Sequence, residues 1–78
     1  MQYTIVRGNN HMRYVIEIIV FQNGKRIING LKQDSVGVEY GCLTNFASIQ
    51  EAAEAMRKRW AIKGNIHIQE NATHIGVI

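Results

Sequence analysis

Apolar side chains recur along this chain with two different periods, and the change of period marks the elements. Residues 3–7, YTIVR, alternate as a strand does, and the GNNH that follows supplies residues suited to a reversal, predicting a first hairpin into Met12 onward. The stretch VIEIIVFQNGKRIING, residues 15–30, is two apolar runs joined by Asn23 and Gly24. An Asn-Gly pair in that setting predicts a two-residue type I′ turn, because its twist matches that of the strands it joins. Such a loop places Val20 opposite Ile27, Ile18 opposite Asn29 and Ile16 opposite Leu31, so Tyr14, Ile16, Ile18, Val20, Ile27 and Leu31 share the predicted core face. The first hairpin adds Tyr3 opposite Ile16 and Ile5 opposite Tyr14. After a polar KQDS segment, VGVEYGCL predicts a third meander strand with Val36, Val38, Tyr40 and Cys42 on one face, Cys42 serving as a small core hydrophobe.

From Ser48 the period becomes helical. Ile49, Ala52, Ala53, Met56 and Trp60 fall on one stripe, Ser48 and Glu51 have the spacing of a capping box, and Gly64 suits the position just past the end. Acidic Glu51 and Glu54 lie at the start and basic Arg57, Lys58, Arg59 and Lys63 at the end, each where the helix dipole favours its sign. That reads as a solvated helix end rather than a phosphate site. The closing segment NIHIQENATHIGVI predicts a hairpin turning at Asn71 and Ala72, through a two- or a four-residue loop that gives the same pairing, with Ile68 opposite Ile75 and Ile66 opposite Val77, and with His67 and His74 diagonal neighbours on the other face. Together these give residues 1–78 as a single α+β domain. Its antiparallel sheet runs in the order β-β-β-α-β-β, the N-terminal strand pairs with the second, and one helix packs on one face.

One helix covers one face of a sheet, and this leaves the outward side of the central hairpin to be explained. In the predicted register that side carries Arg13, Val15, Glu17, Ile19 and Phe21 on one strand and Arg26, Ile28, Gly30 and Lys32 on the next. Val15, Ile19, Phe21 and Ile28 then form an apolar patch rimmed by Arg13, Arg26 and Lys32, the composition of a protein interface. A heterologous partner, a homodimer seam and internal burial are its three candidate uses.

Composition narrows the function classes. A formal charge of +3 over 78 residues admits acidic protein partners and nucleic acid, but the excess is mild, and dedicated nucleic-acid binders concentrate more Lys and Arg on one face than any one element here carries. The single cysteine allows no intrachain disulfide and no thiolate cluster, which suggests a reducing, cytoplasmic compartment; no leader pattern or membrane-length apolar run suggests otherwise. No glycine-rich phosphate loop, HExxH, CxxC or GxSxG occurs, and the acidic residues are scattered over different elements. His67 and His74 make two ligands where zinc takes three or four. The expectation is a protein that is not an enzyme, with no catalytic residue, metal or cofactor and no membrane partner.

HMRYVIEIIVFQNGKRI followed by SVG resembles the hairpin of a small phage-encoded anti-CRISPR protein that inhibits a type I CRISPR surveillance complex. AAEAM, Trp60 and GNIHIQENATHIGVI are similar in order and spacing to another small inhibitor of that group. The resemblance implies a non-enzymatic inhibitor, resident in the cytoplasm of a bacterial host, that docks on the complex and blocks target DNA binding or nuclease recruitment. The family's aromatic contact near the hairpin end matches Phe21; its acidic contact has no match here. GKRI on a strand and LTNFASIQEAAEAM leading into a helix are similar, instead, to AP2-like and integrase arm-binding DNA modules. That alternative implies DNA contacts from Arg13, Lys25, Arg26 and Lys32 and steep salt dependence.

Overall fold

The computed structural model describes residues 11–78, in the order β1 (Arg13–Val20), β2 (Arg26–Gln33), β3 (Glu39–Leu43), α1 (Ile49–Trp60), β4 (His67–Glu70) and β5 (Thr73–Val77). The five strands form one sheet in the spatial order β3-β2-β1-β4-β5. The three-strand meander, the single helix and the terminal hairpin match the expected α+β order. The sheet is mixed rather than antiparallel, because β4 runs parallel to β1, with Val15 beside His67 and Ile18 beside Glu70. The cause is the path of α1. The chain leaves the meander at its β3 edge, crosses the sheet in the helix and re-enters at the far edge of β1, a crossover of the kind that parallel neighbours require. The strand expected over residues 3–7 lies outside the described residues.

The β1–β2 hairpin differs from the expected register by one residue. Ile18 faces Ile28, Ile16 faces Gly30 and Val20 faces Arg26. The reason is in the turn. Phe21 N–H donates to Lys25 O at 2.9 Å and Gly24 N–H to Phe21 O at 2.9 Å, so the loop is Gln22-Asn23-Gly24, three residues rather than two. Gly24 alone is left-handed, at φ +89°, while the Asn23 side chain accepts from Lys25 N–H at 3.0 Å. This is a type I turn closed by a left-handed glycine, the usual three-residue hairpin loop. The same loop recurs between β2 and β3, where Asp34 N–H donates to Val38 O at 3.0 Å and Gly37 stands at φ +91°. A one-residue slip sends every side chain of a strand to the other face. Ile28 and Gly30 therefore lie on the helix side, and Ile27 and Leu31 on the far side.

The helix forms where its signals predict it. Ser48 is the N-cap, its hydroxyl accepting from Glu51 N–H at 3.1 Å while the Glu51 carboxylate accepts from Ala47 N–H at 2.7 Å. Ala52, Ala53 and Met56 are buried, with Ile49 and Trp60 packed at the margin, against Ile16, Ile18, Ile28, Ile66 and Ile68. Two glycines permit the close approach. A Cβ on Gly30 would lie 2.7 Å from Met56 Cγ and Sδ, and one on Gly41 would lie 2.8 Å from the Trp60 ring, which also packs on Tyr14 with centroids 6.0 Å apart.

The helix stops earlier than expected. Ala61, not a residue near Gly64, turns left-handed at φ 51°, and the reversal inserts Ile62 into the core. Arg57 then ties the exit segment down, its guanidinium donating to the carbonyls of Gly64 at 2.9 Å, Ile78 at 3.3 Å and Ile62 at 3.4 Å. One member of the basic cluster is thus a structural tether rather than a solvated end. The closing hairpin has a two-residue loop, Asn71 and Ala72, both at positive φ, with Glu70 facing Thr73 and Gln69 facing His74. Its expected register holds only near the turn. Beyond it the ladder shifts by one, Ile68 facing Gly76 and His67 facing Val77, so Ile75 is a bulge residue and Ile66 bonds Ile78.

Candidate partner-binding surfaces

The seven residues expected to form one partner-binding patch do not share a face. On the side away from the helix lie Arg13, Val15, Ile19 and, continuing the alternation, Phe21; on the helix side lie Arg26, Ile28 and Lys32. Ile28 is only 6% exposed, locked in the core. The premise that the far side stands open fails at its centre. Val15 is 0% exposed on the central strand, with Leu31 and His67 as its lateral neighbours, and Ile19 is half-buried. Phe21 does remain exposed, at 44%, as do Arg13 and Arg26. Phe21 and Arg13 are eight residues apart on an extended strand, about 27 Å, too far to form one contact point.

Exposed apolar surface collects at the sheet edges instead. On the β3 side Val36, the most open at 81%, Val38 and Tyr40 are exposed; on the β5 side Ile75, Val77 and Ile78 are. Among the described residues both strands have a neighbour on one side only, so half of their backbone N–H and C=O groups point away from the described sheet. The two edges differ in their surroundings. Beside β3 an open groove of about 850 Å³ runs under the last turns of α1, lined by Cys42, Leu43, Thr44, Phe46, Ala55, Lys58 and Arg59. Sequence inspection missed it because nothing in a linear pattern says which strand becomes an edge or which helix residues overlook it.

Tyr40 is the residue at which the β2–β3 register shifts, without a partner on β2. Its position is set by Asp34, whose Oδ1 accepts from the Val36 and Val38 amides at 3.0 and 2.9 Å and whose Oδ2 accepts from the Tyr40 hydroxyl at 3.1 Å. Desolvation works against the Asp34 charge, but the amides of Val38, Val36 and Gly37 and the Tyr40 hydroxyl outweigh it and hold the carboxyl below its usual value; the same contact raises the Tyr40 phenol. Cys42 is exposed on the side away from the helix, opposite Leu31, rather than in the core. Desolvation, then Glu39 and Glu17, push its thiol up, the opposite of what an activated nucleophile needs.

His67 and His74 do lie together on the far side, as expected, with Nδ1 of His67 3.4 Å from Nε2 of His74. Among the described residues no third His, Cys, Asp or Glu completes a metal-binding group with them. A half-buried polar row, Asn29, Glu17 and Gln69, runs beside them across three strands. No described helix is long and apolar enough to cross a membrane.

The fold defines an α+β protein; the described residues form a five-stranded mixed sheet backed by one helix, with β3 and β5 as its edge strands. No family model matches the chain, and no curated protein or solved structure matches it.

Proposed function

We propose that this protein is a non-catalytic binding module that acts by occupying the surface of a larger bacterial protein complex. The observation that carries the reading is the concentration of exposed large apolar side chains on and beside the two edge strands of the described sheet, Val36, Val38 and Tyr40 at one edge and Ile75, Val77 and Ile78 at the other. Unpaired backbone flanked by apolar side chains recruits another polypeptide more readily than a small substrate. The resemblance of the central hairpin and the closing segment to small anti-CRISPR inhibitors supports a type I surveillance complex as the target. Phe21, exposed at the hairpin end, stays available for the contact that this resemblance assigns to it.

The DNA-binding alternative gains nothing from the geometry. A module that lays its sheet in a groove needs its cations on one face, and here Arg13 lies on one side of the sheet while Arg26 and Lys32 lie on the other.

Two measurements test the reading. Purified type I surveillance complexes mixed with the protein should co-elute with it in gel filtration and lose target-duplex binding or nuclease recruitment, and Phe21→Ala should weaken the association. Wild-type protein that co-elutes with none of them refutes the anti-CRISPR assignment. A salt-sensitive mobility shift of random duplex DNA by the free protein would favour the alternative instead.

A further inference from the structure

Resting on the reading that the partner is a protein, we propose that the groove between β3 and α1 takes an extended acidic segment of that partner as a sixth strand, paired to the open edge of β3 and anchored by Lys58 and Arg59. Three features converge on this occupant. The first is backbone. Among the described residues β3 (Glu39–Leu43) bonds β2 on one side only, so about 17 Å of ladder is available to an added strand, and only an extended chain presents donors and acceptors at the matching spacing.

The second is shape. The helix overhangs this edge, and Leu43, Phe46 and Ala55 give the groove an apolar floor beside the strand. Tyr40, held by Asp34, and Val38 continue the apolar surface beyond it. The methylene stems of side chains on the helix-facing side of an added strand would rest there while its backbone pairs.

The third is charge, and it selects the ligand. Lys58 and Arg59 are exposed on the groove wall. Their neighbours have other commitments: Arg57 donates to backbone carbonyls, and Glu54, one turn earlier, accepts from Gln50 Nε2 at 3.3 Å. Lys58 and Arg59 have no such partner among the described residues, and the other groove-lining residues are neutral. A segment with carboxylates on the helix-facing side supplies the missing counter-charges, whereas the cation that reaches the β5 side, Arg57, is committed to backbone carbonyls there, Ile78 O among them. Charge complementarity therefore separates the two edges and commits the β3 groove to an acidic strand rather than to a second copy of this basic chain.

The test uses a fluorescein-labelled hexapeptide of alternating valine and aspartate, which places every carboxylate on one side when extended, and a matched peptide with lysine for aspartate. Fluorescence anisotropy with the intact protein should show saturable binding of the acidic probe and none of the basic one. Lys58→Gln with Arg59→Gln should weaken it on the order of tenfold while leaving the thermal melt in place. With wild-type protein, methylating the probe's backbone amides along one edge should abolish binding, and methylating those along the other edge should leave it. The proposal is overturned by no saturable binding of the acidic probe, by an unchanged affinity in the double variant, or by the two methylated forms behaving alike. Co-elution with a surveillance complex separates this from the broader reading. A Lys58→Gln, Arg59→Gln protein that still co-elutes normally removes the groove from docking and leaves that reading standing, whereas a wild type that binds the probe but no complex removes the named partner and leaves the groove.

Discussion

Gly30→Ala tests the register from which the placement of every side chain on β2 follows. In the observed pairing Gly30 faces Ile16 on the helix side, and the added methyl would sit 2.7 Å from Met56 Cγ and Sδ. Met56 is fully buried, with Ala52, Ala53 and Ile28 in the same cluster, so its side chain has little room to retreat. Overpacking of a filled core costs about 1–3 kcal/mol. In a domain of this size each kcal/mol lowers Tm by roughly 4–8 °C. A loss of about 8–16 °C is therefore expected at the middle of that range, read by calorimetry or by circular dichroism. In the alternative register, with a two-residue loop, Gly30 would face away from the helix. The substitution would then be neutral or would stabilise by about 0.5–1 kcal/mol through the lower backbone entropy of the unfolded chain. The sign of the change decides between them. The cycle with Met56→Ala sharpens the test, because the clash disappears when its target is removed and the two changes should be clearly non-additive. An unchanged or raised Tm for Gly30→Ala refutes the close approach of α1 to β2.

Three further outcomes follow from local geometry. Arg57→Ala should cost about 1.5–3 kcal/mol in urea unfolding, since it strips three carbonyls of a charged donor, and Arg57→Lys should recover only part because an ammonium lacks the planar fork. Ala72→Gly should stabilise by about 0.5–1 kcal/mol, because Ala72 holds φ 69° in the last hairpin loop, where an L side chain is strained and glycine is not. The Asp34 carboxyl titrates lower in the folded chain than in the unfolded one, so its contribution is present above the unfolded value, 3.8, and is lost as pH falls through the folded one; the Tm gap between wild type and Asp34→Asn should close across that acid window and stay constant above it.

Local chemistry in the sequence was enough to place most elements. The Ser48 and Glu51 cap, the stripe from Ile49 to Trp60 and the position of the turn at Asn71 and Ala72 are all present, because each depends on residues within one turn or one loop of each other. The juxtaposition of His67 and His74 was legible for the same reason: one hairpin contains both. The β1–β2 register was not, since Asn-Gly serves both a two-residue and a three-residue loop, and the difference between them is a backbone hydrogen bond from Phe21 to Lys25. That single residue moved Ile28 and Gly30 under the helix and divided the expected patch between two faces.

What the chain determined by itself is the set of elements, their approximate bounds and the amphipathic stripe of α1, all consequences of short-range periodicity and capping. What only the tertiary structure decided is which strands are neighbours. The placement of β4 beside β1 follows from where the helix delivers the chain, and Asn71 secures the end of that junction, its backbone N–H donating to Ile18 O at 2.9 Å and its side-chain oxygen accepting from Val20 N–H at 3.0 Å. Edges, and therefore the groove overlooked by Lys58 and Arg59, exist only once that order is set, because a strand is an edge by virtue of the neighbour it lacks.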